Sequence, residues 1–177
     1  MRHHEIFPSS LWHIEGAPQP LVENLYQAAY KIKENHESNT LSNRGGYQSP
    51  MFEWKDFHPE GIKYIEPIIK KISKSRKQIA FKRDMEWWYN INGKGHWNAP
   101  HTHPKCDYAL VWYLTDSNGL LNLMTPFPQR VDDKGDNINI HGKKGDIVIF
   151  PSDIIHFVLP NPKEEDRVCI SMNLRLC

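Results

Sequence analysis

The chain has 177 residues, of which 39% are hydrophobic and 24% are charged. This length fits one domain with a substantial buried core and excludes two large domains. Lysine and arginine number 22 against 21 acidic residues, so the chain lacks both the basic excess of a nucleic-acid-binding protein and the acidic bias of a disordered tail. No apolar run approaches the ~18 residues of a membrane span, and the N-terminus does not have the pattern of a secretion signal. We expect a soluble, cytoplasmic protein that binds neither nucleic acid nor membranes.

The first part of the chain, residues 1–78, is predicted to be extended and then helical. Residues 5–20 combine prolines and glycines with apolar side chains, which is typical of an extended segment with one strand. Apolar positions over 21–32 fall at helical spacing and predict an amphipathic helix of about four turns. After a turn-rich link, a second helical stripe covers 62–72 with lysines on its other side. Pro67 interrupts this stripe and predicts either a kink or a helix that begins there.

The second part, residues 79–177, is predicted to consist of short strands separated by Gly, Pro, Asn and Asp turns. The predicted strands are Met85–Ile91, Tyr108–Thr115, Leu120–Met124, Ile138–Ile140, Asp146–Phe150, His156–Leu159 and Arg167–Leu174. Because the long crossovers of a parallel sheet are missing, a doubly wound α/β fold is excluded. The pattern favours a mainly β protein, a jelly roll of the double-stranded β-helix type braced by two N-terminal helices.

Histidines form the most informative pattern in the sequence. His101 and His103 precede a predicted strand and are separated by one residue, so in extended chain both imidazoles lie on the same face. His156 begins another predicted strand and can supply a third ligand. Three such side chains are typical of a facial metal site with open positions. The three cysteines form no CxxC pair, which argues against a disulfide framework or a thiolate zinc site.

Arg167 begins a strand in which polar and apolar side chains alternate as far as Leu174. The polar face of this strand includes Cys169, Ser171 and Asn173. An arginine inside a narrow barrel is suited to a dicarboxylate, because the guanidinium fork matches a carboxylate with two parallel hydrogen bonds. The alternative is a surface arginine on an edge strand.

Taken together, these motifs resemble the Fe(II)/2-oxoglutarate-dependent oxygenases, and in particular a prolyl-hydroxylase-like branch found in bacteria and phages. The segments that carry the resemblance are Trp88-Tyr89-Asn90, Pro100-His101-Thr102-His103-Pro104, Val111-Trp112-Tyr113-Leu114, Gly145–Ser152 with His156, and Arg167 through Ser171 to Asn173. The resemblance extends over nearly the whole chain, and the motifs are specific as a set.

The resemblance implies two groups of functional residues. The iron ligands would be His101, His103 and His156. The 2-oxoglutarate site would comprise Arg167 on the distal carboxylate, Tyr113 and Ser171 as its hydrogen-bonding partners, and Asn90 and Asn173 as pocket walls. The implied enzyme uses Fe(II), 2-oxoglutarate and O2, releases succinate and CO2, and hydroxylates a protein side chain or a small molecule.

Two departures from the family pattern bear on the site. The superfamily usually has His-x-Asp, whereas position 103 is histidine, so three neutral imidazoles would lack a compensating carboxylate. Asp107, four residues further on, is an alternative third ligand, but His103 is favoured because it occupies the motif position. The branch tends to carry Ser-Gly where this chain has Ala109-Leu110, which affects the shape of the substrate side.

Two other functions remain open at this point. One is a cupin-like metalloenzyme with three histidines that does not use 2-oxoglutarate, against which Arg167 and Tyr113 argue. The other is a non-catalytic jelly-roll binding module with a structural zinc, although such sites are usually closed and four-coordinate. Both alternatives predict that no succinate is released.

Overall fold

The computed structural model describes residues 10–75, 85–118, 120–125 and 137–175. Two helices lie in the first part of the chain, α1 (Gln19–Asn35) and α2 (Pro59–Ser75). Both confirm the predicted helices, but α2 begins at Pro59, so the alternative of a helix that begins at Pro67 is wrong. Pro67 lies inside α2 and faces solvent, so water can satisfy the carbonyl group that a proline leaves without a donor. Neither described helix is long and apolar enough to cross a membrane.

The described residues form twelve strands. They are β1 (Trp12–Ile14), β2 (Asn43–Arg44), β3 (Tyr47–Gln48), β4 (Phe52–Glu53), β5 (Glu86–Asn92), β6 (Trp97–His101), β7 (Tyr108–Tyr113), β8 (Leu121–Met124), β9 (Asn137–Ile140), β10 (Ile147–Pro151), β11 (His156–Val158) and β12 (Arg167–Leu174). A seven-stranded antiparallel sheet has the order β1-β10-β7-β12-β5-β3, with β4 also pairing with β5. A five-stranded antiparallel sheet has the order β2-β6-β11-β8-β9. The predicted jelly roll with two helices is thereby confirmed.

The molecule is built in three layers, with the seven-stranded sheet in the middle. The alternation along β7 shows how the sequence produces them, because successive side chains of a strand point to opposite faces. Leu110 and Trp112 pack with α1 and α2 in the larger apolar core, which also contains Leu25 and Ile69. The neighbouring Val111 packs in a smaller core between the two sheets. The functional site therefore lies between the sheets, and the helices cover the opposite face.

All seven strands predicted for the second part are present, to within one or two residues at each end. The prediction missed β6 and the short strands β2 to β4, which lie in the link interpreted as turn-rich. In β6, Pro100 interrupts the sequence pattern that is typical of a strand. It falls where the β6–β11 register shifts between the pairs His156↔His101 and Val158↔Asn98, which marks a β-bulge. A bulge tolerates proline because the ladder does not need its missing N–H there.

Candidate functional site

Three histidine side chains converge between the two sheets. His101 ends β6 and His156 begins β11, and the two residues are direct partners in the β6–β11 register. Their ring centroids are 4.2 Å apart, and His103 lies 5.1 Å from His101 and 4.9 Å from His156. One ring nitrogen of each histidine lies within 4.8 Å of the others, a spacing that a single metal ion could bridge. The structure thus brings together the three histidines that the sequence singled out.

Each imidazole is oriented by a hydrogen bond at Nδ1. His101 Nδ1 lies 2.7 Å from the Ala99 carbonyl oxygen, and His156 Nδ1 lies 3.0 Å from that of Ile154. His103 Nδ1 lies 2.6 Å from Oδ1 of Asn173. Since these oxygens only accept, each Nδ1 carries the proton and each Nε2 presents a lone pair. This is the arrangement of histidines that bind a metal through Nε2.

Burial keeps these histidines neutral. Burial, together with the neighbouring His101, lowers the pKa of His103 to about 4 and that of His156 to about 3. Burial also lowers the pKa of His101. His103 Nε2 and His156 Nε2 face each other at 3.2 Å. Because both rings carry their proton on Nδ1, the lone pairs of the two Nε2 atoms face each other and repel. A cation bound by both Nε2 atoms would remove this repulsion. The donor set therefore fits a divalent transition metal such as iron.

A buried arginine marks a second feature of the site. Arg167 is 2% exposed and begins β12, which lies between β7 and β5 in the seven-stranded sheet, so the alternative of a surface arginine on an edge strand is wrong. Its Nε and Nη1 atoms make no hydrogen bond, and it has no ion pair with any described carboxylate. An unpaired buried charge is costly, so this guanidinium is suited to an anionic ligand.

Tyr113 lies beside this arginine. The Arg167 Cζ atom is 5.7 Å from the centroid of the Tyr113 ring, and the tyrosine is fully buried. Its hydroxyl makes no hydrogen bond with a described residue, and burial raises its pKa. Two polar groups predicted to bind the same carboxylate are thus adjacent, and both have unused hydrogen-bonding capacity.

A small cavity of about 30 Å³ lies between the histidines and Arg167. We call it the inner cavity. Its walls include three residues predicted for the 2-oxoglutarate site, Asn90, Arg167 and Ser171, as well as Ala109. Tyr113 lies behind Arg167 and is not among the described lining residues. An open cleft of about 480 Å³, the outer cleft, adjoins the inner cavity and shares with it Ser42, Trp88, His101 and His103. The histidines therefore stand at the boundary between an enclosed space and an open one.

A ladder of buried amides holds one wall of the inner cavity. Asn90 Nδ2 donates to Ser171 Oγ at 3.1 Å, and Asn92 Nδ2 donates to Asn98 Oδ1 at 2.8 Å. Asn98 in turn donates to Ser42 Oγ, and Asn43 donates to Asn92. Since β5 and β12 belong to one sheet and β2 and β6 to the other, the ladder connects the two sheets next to the predicted cosubstrate site.

The structure separates the two candidates for the third ligand. Asp107 is exposed and lines a surface pocket with Cys106, Tyr108 and residues 151–153. It does not belong to the cluster of side chains that could share a metal, whereas His103 does.

The sequence did not single out every residue that shapes the histidine cluster. The indole of Trp88 stacks on His103, with 5.5 Å between ring centroids and 22° between planes. Glu86 accepts a hydrogen bond from Asn173. Asn173, predicted as a 2-oxoglutarate wall, lines the outer cleft and contacts His103. The alternation of polar and apolar residues in β5 gave a signal for Asn90 and Asn92, but Glu86 stands at a strand end, where such patterns are weak.

A known protein family matches the part of the chain that carries the candidate site. Residues 86–173 match the family described as "Putative 2OG-Fe(II) oxygenase". A search of curated protein sequences gave no significant match.

Solved structures share the fold at low identity. A prolyl-4-hydroxylase from Pseudomonas putida superposes with a TM-score of 0.70 and 16% identity, covering 94% of this chain and 92% of that one. The viral collagen prolyl hydroxylase of Paramecium bursaria Chlorella virus-1, solved with 2-oxoglutarate, gives a TM-score of 0.64, 17% identity and coverages of 94% and 96%. The α-ketoglutarate-dependent carbocyclase SnoK from nogalamycin biosynthesis gives 0.68, 10% identity, and coverages of 94% and 79%. Residues 86–173, which include every candidate site residue, belong to the Fe(II)/2-oxoglutarate-dependent oxygenases, and the fold is similar to that of prolyl hydroxylases.

Proposed function

We propose that this oxygenase hydroxylates a peptide or protein side chain, or a small molecule, with release of succinate and CO2. Fe(II) is held by His101, His103 and His156, and 2-oxoglutarate lies in the inner cavity with its distal carboxylate on Arg167. The observation that carries the proposal is the unpaired guanidinium of Arg167, buried in the wall of a cavity that three convergent imidazoles also line.

The chemistry of the two binding groups supports this assignment. Three imidazoles leave coordination positions open for the cosubstrate and for oxygen. Bound iron with 2-oxoglutarate supplies oxygen activation and the abstraction of a hydrogen atom from the substrate. The guanidinium of Arg167 provides two parallel donors for a carboxylate, and burial strengthens this pairing because little water competes for it.

The remaining residues orient these groups. The backbone carbonyls of Ala99 and Ile154 hold two of the imidazoles with Nε2 directed at the shared position. The hydrogen bond from Asn90 to Ser171 fixes two polar side chains in the wall of the inner cavity. These contacts preorganise the site, so little reorganisation is needed when ligands bind.

The outer cleft supports a substrate that approaches from solvent. It is open, borders His101 and His103, and combines the apolar side chains of Leu41 and Met51 with the charged Arg44. Such a surface can receive a side chain presented on a peptide or a small molecule of similar size. Similarity to prolyl hydroxylases favours a protein side chain, with proline as the first candidate.

Substrate-stimulated turnover of 2-oxoglutarate tests the proposal. Purified protein is loaded with Fe(II) and incubated with 2-oxoglutarate, O2 and a panel of proline-containing peptides, other peptides and small molecules, and succinate is measured. We expect succinate release that one substrate class stimulates, that Arg167→Ala removes, and that a substitution of the exposed histidine, His141→Ala, leaves unchanged. Absence of succinate across the panel, together with no binding of 2-oxoglutarate to manganese-loaded protein, would instead support one of the two alternatives, the cupin-like metalloenzyme or the non-catalytic binding module.

A further inference from the structure

His103 is the one histidine of the cluster whose Nδ1 partner is a side chain. His101 and His156 are held by backbone carbonyls, whereas His103 is held by Oδ1 of Asn173. A backbone partner is fixed by the fold, but a side-chain amide can turn over and present its NH2 group instead. The orientation of His103 therefore depends on whatever fixes the amide of Asn173.

Glu86 fixes that amide. Asn173 Nδ2 donates to Glu86 Oε2 at 3.1 Å, and His103 Nδ1 donates to Asn173 Oδ1 at 2.6 Å. Because a carboxylate accepts hydrogen bonds, the NH2 group must face Glu86 and the oxygen must face His103. Asn173 and Glu86 are direct partners in the β12–β5 register, so the backbone places both side chains on the same face.

Other charged groups lie around this carboxylate. Arg175 Nη2 is 3.8 Å from Glu86 Oε2, and the side chain of Glu86 is 37% exposed. Glu53 stands opposite Glu86 in the β4–β5 register, but its carboxylate pairs with Lys55 at 2.7 Å. Glu86 is therefore the carboxylate that the hydrogen bonds connect to the cluster, and Glu53 is a matched neighbour without that connection.

We propose that Glu86 and Asn173 are positioning residues for His103. The carboxylate polarises the Asn173 amide, which strengthens its oxygen as an acceptor, fixes the Nδ1–H tautomer and raises the electron density at Nε2. Glu86 thus supplies, two hydrogen bonds from the ring, negative charge that three neutral imidazoles lack. The proposal rests on the ligand set given under the proposed function.

Metal affinity provides the test, measured without turnover by anaerobic titration with Mn(II) and Co(II). Substitution of hydrogen-bond partners behind metal ligands typically costs ~10–100-fold in affinity. We expect Asn173→Leu to lose about 100-fold and Glu86→Gln about 10-fold, within that range. Glu53→Gln removes a charge from the neighbouring strand and should leave the affinity unchanged. The Tm of each metal-free variant shows whether the substitution disturbs the fold.

A charge-relocation variant separates electrostatics from packing. Asn173→Asp combined with Glu86→Gln places the carboxylate directly on His103 Nδ1, so we expect affinity close to that of the parent and a Co(II) absorption spectrum of the same coordination number. A purely structural role for Glu86 would not be rescued by moving the charge.

The outcomes distinguish this proposal from the proposed ligand set. If His103→Ala lowers affinity but Glu86→Gln behaves like Glu53→Gln, the positioning role is wrong and the ligand set stands. If His103→Ala binds Mn(II) as tightly as the parent, the ligand set fails and the positioning role fails with it. Failure of the charge-relocation variant to recover affinity, with an unchanged Tm, would overturn the electrostatic part of the proposal.

Discussion

The histidine cluster and the arginine group differ in how far the protein satisfies their hydrogen-bonding atoms. In the histidine cluster (His101, His103 and His156), every Nδ1 has a protein partner and only Nε2 is left over. In the arginine group, Arg167 and Tyr113 are buried with donor atoms that make no hydrogen bond. The first is preorganised for a cation, and the second is incomplete without an anion.

This difference has an energetic consequence. Neutral imidazoles leave no unpaired charge buried when the metal is absent, whereas a buried guanidinium without a counter-ion destabilises the protein. Residues that destabilise the ligand-free fold are typical of functional positions. Substitution of Arg167 should therefore weaken the binding of an anion but raise the stability of the ligand-free protein. Substitution in the histidine cluster should not produce these opposite effects.

The largest effect is expected for the histidine cluster. His101→Ala or His156→Ala should abolish Fe(II) binding, with a loss larger than the ~10–100-fold typical of residues behind the ligands, because each histidine is proposed to be a direct ligand. The fold should persist, since the apolar cores do not depend on the ion. Anaerobic iron titration and far-UV circular dichroism measure the two properties. Undiminished affinity in both variants would contradict the assignment of the metal site.

Asp107 supplies a comparison within the same experiment. His103→Ala should weaken iron far more than Asp107→Ala, because Asp107 is exposed and lies outside the cluster. The reverse order would assign the third position to Asp107.

Substitution of Arg167 should weaken the binding of 2-oxoglutarate and leave the metal affinity unchanged. Arg167→Ala should weaken 2-oxoglutarate binding more than ~100-fold, since removal of one partner of a buried ion pair costs ~3–5 kcal/mol. Arg167→Lys should recover only part of the affinity, because an ammonium lacks the planar fork. Calorimetry on manganese-loaded protein measures both. Equal binding by the Ala variant and the parent would show that Arg167 does not bind the distal carboxylate.

Stability sharpens this prediction. Arg167→Met removes an unpaired buried charge and should raise the free energy of unfolding of the ligand-free protein, while it abolishes 2-oxoglutarate binding. A lower free energy of unfolding would indicate that the guanidinium contributes to the fold through contacts and does not await a ligand.

A smaller effect is expected at Gly142, which packs flat against Tyr113. A Cβ atom at this position would lie 2.1 Å from Cε2 of the tyrosine ring, so the ring must move. Overpacking of this kind costs ~1–3 kcal/mol. Gly142→Ala should therefore weaken 2-oxoglutarate binding severalfold by displacing Tyr113 from Arg167, with metal affinity unchanged. Calorimetry measures both affinities, and a loss of metal affinity would show that the two groups are not independent.

The sequence predicted the strands and site residues that are defined by patterns over a few neighbouring residues. Strand β12 alternates polar and apolar residues, whereas β7 and β10 are short apolar runs bounded by turn residues, and both patterns predict strands. The spacing of His101 and His103 places both rings on one face even though His103 lies just beyond the end of β6. The alternation from Arg167 to Leu174 correctly divided β12 between the apolar core and the inner cavity.

Features that depend on long-range pairing were not predictable in this way. The β-bulge that accommodates Pro100 depends on the register with β11. The role of Asn173 changes from cavity wall to partner of His103 because Glu86, 87 positions away in sequence, sets its amide. A single sequence contains no signal for which amide meets which carboxylate across two strands.

Asp146 lies outside the histidine cluster and the arginine group. Its substitution therefore tests whether the stability of the fold can change without a change in ligand affinity. Its carboxylate pairs with His13 Nε2 at 2.9 Å and accepts hydrogen bonds from the backbone N–H groups of Gly16 at 3.1 Å and Lys143 at 2.9 Å. These bonds attach the segment around β1 to the turn before β10. Burial raises the pKa of Asp146, but the three bonds outweigh it and hold the pKa below its ordinary value.

Asp146→Asn should lower the free energy of unfolding at pH 7 by ~1–3 kcal/mol, because charge-assisted hydrogen bonds are lost, and should leave metal and 2-oxoglutarate affinities unchanged. A depressed pKa means that the ionised form stabilises the fold. The contribution is therefore complete above the unfolded pKa of ~3.9 and is lost as the pH falls through the lower folded pKa. Urea unfolding at pH 7 and at pH values below about 4 should show the parent converging on the variant. A difference that stays constant over this range would mean that Asp146 acts through its shape and not through its charge.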